Sequence, residues 1–153
     1  GVLRLTGEFE RPRREILDRF VQAIYMGQWL NNPPSVEGWQ GGTEWINTGT
    51  YVERVNFSGR VLNDANKVGV RDIIDRIKSM ADGDSMTSDQ LVDSCLDVLG
   101  PLEVVDTAES GIKDYASKFG PLSWLGDDDS KDFDSAAIAV IQLIVSSQEY
   151  QTA

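Results

Sequence analysis

The chain has 153 residues, a formal charge of −11 and a hydrophobic fraction of 41%. That is enough for one domain with a real core, and too acidic for a nucleic-acid surface, which needs clustered Lys and Arg. No run approaches the ~20 apolar residues of a membrane span, and without histidine, with Cys95 as the single cysteine, disulfides, the usual Cys/His zinc sites and histidine-based nucleophilic systems are excluded within these residues.

The chain begins at Gly1, and Val2-Leu3-Arg4-Leu5 reads like the end of a helix already under way. The expectation is a piece of something longer, whose compartment is not written in its own first residues. Arg11, Arg13 and Arg14 form the one basic cluster and read as a solvated helix end. Arg13 to Leu30 is the clearest helix: Ile16, Leu17, Phe20, Val21, Ile24 and Tyr25 recur at three and four, while Arg14, Glu15, Asp18, Arg19 and Gln22 fill the other face. Pro12 suits its first turn, and Gly27, Asn31 and Pro33 mark its decline.

Residues 31–48 then form a long loop rich in Trp, Gly and Pro. A second helix is predicted from Asn47 or Thr48 to about Asn63, with Tyr51, Val52, Val55 and Leu62 inward; Gly49 and Gly59 weaken it or let another element approach. Val70, Ile73, Ile74 and Ile77 predict a third helix over Val70 to Met80, followed by a surface turn at Ala81 to Ser85. Thr87-Ser88-Asp89-Gln90 has capping-box form for a helix running to Leu99, which Gly100-Pro101 stops. Cys95 shares its apolar face with Leu91, Val92, Leu96 and Leu99, so buried packing is expected rather than reactivity.

Asp106-Thr107-Ala108-Glu109 repeats the device for a helix ending at Phe119, again closed by Gly-Pro. Leu102 to Val105 is a weak case of strand alternation, the one such stretch. The last helix, about Ser135 to Ser147, is apolar all round and therefore central. The prediction is all-α: a single compact bundle of five to six helices in one domain over residues 1–153.

Three patterns invite chemistry. Ser110-Gly111-Ile112-Lys113 has Ser-x-x-Lys spacing, but its companion Ser-Asp-Asn and Lys-Thr-Gly motifs are missing. The acidic run Asp127 to Asp134 fits a calcium loop in neither register. Started at Asp127 it puts Lys131 at the fifth position; started at Asp128 it puts Phe133 at the sixth and Ala139 at the twelfth. It reads as a solvated loop in which Asp132 or Asp134 caps the final helix. No metal or cofactor is expected.

The loop is the best functional candidate. Trp39 and Trp45, with Glu37, Glu44, Gln40 and Asn47, would suit an aromatic platform edged by hydrogen-bonding groups, as saccharide binding requires. Two carboxylates across such a platform would also suit glycoside chemistry. In the alternative reading both indoles plug the top of the bundle and the glycines close the loop over them. No catalytic constellation is visible in these residues, so the reading leans away from an enzyme without deciding the question.

Met26-Gly27-Gln28-Trp29-Leu30-Asn31-Asn32-Pro33-Pro34-Ser35-Val36-Glu37-Gly38-Trp39, with Gly41-Gly42, Trp45-Ile46-Asn47-Thr48 and Arg54-Val55-Asn56-Phe57, resembles the C-terminal region of the bacterial domain of unknown function eighteen-hundred family. Leu143 to Gln151 is similar to that family's closing segment, with Gln148 in place of its usual proline, so the last helix is expected to run further. Gly1-Val2-Leu3-Arg4 matches a short upstream segment. The resemblance implies a mainly helical C-terminal part of a longer, often exported, periplasmic or secreted protein, commonly found beside a sulfatase-like partner family. It implies no catalytic residue, cofactor or substrate.

The expected function is a scaffold or binding module acting through residues 31–48. Its partner would be the rest of its own polypeptide, another protein chain or a saccharide, with no nucleic acid and no membrane span. The alternative is part of a hydrolase acting on polysaccharide or another envelope polymer, with the loop forming one wall of the site.

Overall fold

The structure, a computed structural model, describes residues 15–27, 29, 32–33, 35–37, 47–100 and 106–152. Among these residues are seven α-helices and one two-stranded antiparallel pair. The mostly helical architecture expected from the periodicities is the one the chain adopts.

Helix α1 spans Glu15–Tyr25. It ends well before Leu30 because Gly27 takes φ 90°, a left-handed conformation that glycine adopts without a Cβ penalty, and its amide closes the turn on the Ile24 carbonyl. Its buried face is narrower than the apolar stripe suggests. Phe20 and Ile24 are half-buried and Met26, just past the helix, packs on the core, whereas Val21 and Tyr25 stand exposed. The side chains of Ile16 and Leu17 lie outside the described residues.

Helix α2, Thr48–Leu62, begins with a reciprocal capping box: Thr50 N donates to Asn47 Oδ1 at 3.0 Å and Asn47 N donates to Thr50 Oγ1 at 2.9 Å. Its buried residues are Phe57, Ser58, Val61 and Leu62. Tyr51 and Val55 are only half-buried and Val52 is exposed, so the inward face lies toward the helix's C-terminal half. The Arg19 guanidinium sits 5.7 Å from the centre of the Phe57 ring and helps join α1 to α2.

Helix α3, Val68–Ser79, buries Val70, Ile73, Ile74 and Ile77, the four positions its period assigns inward. A turn leads to β1, Ser85–Met86, and then to α4, Ser88–Leu99. Thr87 caps α4 as its sequence predicts: Gln90 N donates to Thr87 Oγ1 at 3.2 Å, and Thr87 N donates to Gln90 Oε1 at 2.9 Å.

Helix α5, Asp106–Ala116, continues into a 3-10 turn, Ser117–Phe119, which Gly120 ends. Asp106 is already helical rather than a cap preceding the helix. The weak strand expectation at 102–105 lies outside the described residues. The strands that do form are two residues each: β2, Leu122–Ser123, pairs antiparallel with β1 through Met86↔Leu122 and Ser85↔Ser123.

Helix α6, Asp127–Val145, starts eight residues earlier than its apolar pattern suggests. The acidic run is therefore the first turns of a helix, not a loop before one. Asp127, Asp128 and Asp129 lie where the partial positive charge of the helix N-terminus favours carboxylates. Asp132 and Asp134 are inside the helix and cap nothing. Helix α6 stops at Ser146–Ser147, and helix α7, Gln148–Thr152, follows as a separate turn with Tyr150 N donating to Ser147 Oγ at 3.3 Å. The chain thus breaks helix geometry even with glutamine in place of proline.

The last long helix is central, as an apolar segment must be. Phe133, Ala136, Ala137, Val140, Ile141, Ile144 and Val145 of α6 are buried, and the helix packs against α2, α4, α5, β2 and α7. Ile74, Ile77, Leu91, Val92, Cys95, Val61 and Val70 complete one continuous core around it.

Candidate functional site

Of the six residues predicted for the loop site, the structure describes Glu37 and Asn47. Trp39, Gln40, Glu44 and Trp45 lie outside the described residues. Glu37 is exposed. Asn47 is committed to the capping box of α2, where its amide side chain and backbone are both in use, so its role is to start the helix. The resulting geometry fixes only where the loop ends: at a rigid, capped helix terminus.

The surface leading into the loop is apolar. Val21 and Tyr25 lie one helical turn apart on α1, Tyr25 is 65% exposed, and Trp29 follows four residues later at 49%. Val36 within the loop and Val52 on α2 are also exposed. By contrast Trp124, away from the loop, packs on the core and meets the Phe133 ring edge-on at 4.9 Å.

Helix α2 and the closing segment of the chain meet in space. On α2, Arg54 Nη1 donates to the Gln151 backbone carbonyl at 3.3 Å and lies 3.4 Å from Gln151 Oε1. The Tyr51 hydroxyl donates to the Ser146 carbonyl, and Gln151 Nε2 donates to the Val145 carbonyl at 2.5 Å. These bonds satisfy carbonyls left open where α6 ends and fasten the short α7 to α2. Burial lowers the pKa of Arg54 and raises that of the half-buried Tyr150 phenol. A five-residue helix is too short to hold itself in water, so these side chains and the packing of Tyr150 hold it.

A second charged cluster was not anticipated. Asp134, 8% exposed, receives Arg71 Nη2 at 2.5 Å and Lys78 Nζ at 3.1 Å. Lys78 also donates to Ser130 Oγ at 3.1 Å and stands 5.1 Å from the Phe133 ring centre. The hydrogen bond to Asp134 raises the Arg71 pKa. A carboxylate saturated by two cations is a structural tie between α3 and α6, not an available base. The sequence does carry a signal for it: the apolar period run back from Ile141 through Ala137 lands on Asp134, on the inward face.

The Ser-x-x-Lys spacing has no nucleophilic use in this arrangement. Lys113 Nζ is held by Glu109 at 2.7 Å and Asp93 at 3.1 Å, and those bonds push its pKa up, opposite to what a general base requires. Cys95 is fully buried and burial pushes its thiol up to about 12, so it packs as a small apolar group. Among the described residues no group of three or more acidic or Cys side chains is placed to hold a metal ion, and no helix is long and apolar enough to cross a membrane.

No curated protein and no solved structure matches the chain. A family model described as "Protein of unknown function (DUF1800)" matches residues 2–152. That match takes in the loop, the Arg54 segment on α2 and the closing segment on α7, and the chain belongs to this family.

Proposed function

We propose that the chain is a non-catalytic binding and scaffold module, forming the helical C-terminal domain of a longer exported protein, and that it engages its partner through residues 31–48 and the helix face beside them. The observation that carries this reading is the exposed apolar line of Val21, Tyr25 and Trp29, continued by Val36 and Val52. Large apolar side chains scattered singly on a surface need no explanation, but Val21 and Tyr25 lie one turn apart on α1 and the exposed Trp29 and Val36 follow in the chain, which supports an interaction face. The preferred partner is another protein segment, either from the same longer polypeptide or from a second chain, because apolar side chains at helical spacing suit helix packing. The formal charge of −11 supports solubility outside the cell.

The test is iodide quenching of tryptophan fluorescence. Trp29→Phe combined with Trp124→Phe leaves Trp39 and Trp45 as the only reporters. Red-shifted, readily quenched emission is expected, unchanged by a panel of soluble glycans. Protection by one of those glycans would replace the protein partner with a saccharide. Blue-shifted emission indifferent to iodide would make the loop a packed staple and defeat the reading of it as a binding surface.

A further inference from the structure

The turn between α3 and β1 holds the one Asp-Gly pair in the chain, Asp82-Gly83. Both residues are exposed and outside regular secondary structure. Gly83 takes φ 112°, and a Cβ built on it would meet nothing within 4 Å. Among the described residues nothing hydrogen-bonds the Gly83 amide or pairs with the Asp82 carboxyl. We infer that Asp82-Gly83 is a site of spontaneous covalent modification, at which Asp82 converts to a β-linked isoaspartyl residue.

The chemistry balances without a co-reactant other than water. The Gly83 amide nitrogen attacks the protonated side-chain carboxyl carbon of Asp82. A nitrogen–carbon bond forms, and the carboxyl hydroxyl leaves with the amide proton as water, closing a five-membered imide. Water then adds to either imide carbonyl. Opening at the side-chain carbonyl restores aspartate, and opening at the main-chain carbonyl leaves the backbone running through the side chain, one methylene longer. Glycine is the follower that permits this, because no side chain crowds the attacking nitrogen.

The fold selects this aspartate over the others. Asp127, Asp128, Asp129 and Asp132 precede helical residues, whose backbone geometry holds each following amide away from the carboxyl. Asp134 is tied up by Arg71 and Lys78. Asp64 Oδ1 already accepts from Asn66 N at 3.0 Å. Asp84 leads directly into β1, with its carbonyl accepting from Trp124 N at 3.2 Å. The extra methylene at position 82 enters the turn that feeds this β1–β2 clasp, so its register is what the modification disturbs.

The chain is aged for weeks in buffer while its folded state is followed by circular dichroism. Isoaspartate is then titrated with protein isoaspartyl methyltransferase and located by electron-transfer fragmentation of the tryptic peptide 79–113. Signal at Asp82 is expected to exceed that at every other aspartate. Asp82→Glu, which leaves Gly83 and its φ 112° turn in place, should abolish it. Asp82→Asn, which forms the same imide by losing ammonia, should accelerate it. Methylation spread over other aspartates, or none at position 82 in both the parent chain and Asp82→Asn, would overturn the assignment.

Discussion

Replacing Asp134 with alanine strips two cations of their shared counter-ion. Removing one member of a fully buried ion pair costs about 3–5 kcal/mol, because the remaining charge stays uncompensated. Here the Arg71 side chain is 35% exposed and can recover water, while Lys78, at 15%, keeps the Ser130 hydroxyl and the Phe133 ring face. That discount places the loss at about 2–3 kcal/mol. Urea unfolding followed by far-UV circular dichroism should show the midpoint falling by about 1 M with an unchanged slope. Thermal melting should fall by roughly 5–10 °C. Asp128→Ala is the control: it removes a 3.0 Å bridge to Lys131 in which both side chains are largely exposed, and should cost less than about 0.5 kcal/mol. Equal losses in the two variants would refute the claim that burial makes Asp134 matter. A triple replacement, Asp134→Leu with Arg71→Met and Lys78→Met, should regain most of the stability, since well-packed apolar groups commonly match a buried ion cluster.

Two further outcomes separate structural roles from functional ones. Asn47→Ala should lower stability by about 1 kcal/mol and Asn47→Asp should restore it, because a side-chain oxygen at the start of α2 is what the Thr50 amide needs; a loss of partner binding without a stability change would return Asn47 to the binding set. Cys95 should resist a thiol reagent in the folded chain and react only as urea unfolds it. Its folded pKa, about 12, lies above the ordinary 9.0, so its contribution to stability is fully present below about pH 9 and is lost as pH rises toward 12. Cys95→Ala should flatten that part of the alkaline decline in urea titrations.

Helices α3 and α4 were readable because their signals are local. Ile73, Ile74 and Ile77 repeat within one segment, and Thr87 and Gln90 close a capping box three residues apart. Asn47 and Thr50 make a second box of the same form, yet in sequence the glycines and tryptophans around Asn47 favoured a binding role over a cap. The start of α6 was missed for a different reason. Hydropathy treats Asp127 to Asp134 as a loop, whereas a helix N-terminus welcomes those charges. The pairing of Asp134 with Arg71 and Lys78 spans 63 and 56 positions, and no window along the chain contains it. Val21, Tyr25 and Val52 show the converse limit: periodicity assigns a face but not its width, and among the described side chains of α1 Phe20 and Ile24 are half-buried while Val21 and Tyr25 are exposed.

The contact between α2 and α7 is likewise a distant signal that no window along the chain contains. Arg54 can meet Gln151 only once α2 and α6 have packed and brought α7 alongside. Arg54 Nη1 alone reaches both Gln151 oxygens, the backbone carbonyl at 3.3 Å and Oε1 at 3.4 Å, across that packing. That contact and the Tyr51 hydroxyl bond hold the N-terminal half of α2 against the end of the chain, and the capping box at Asn47 starts the same helix.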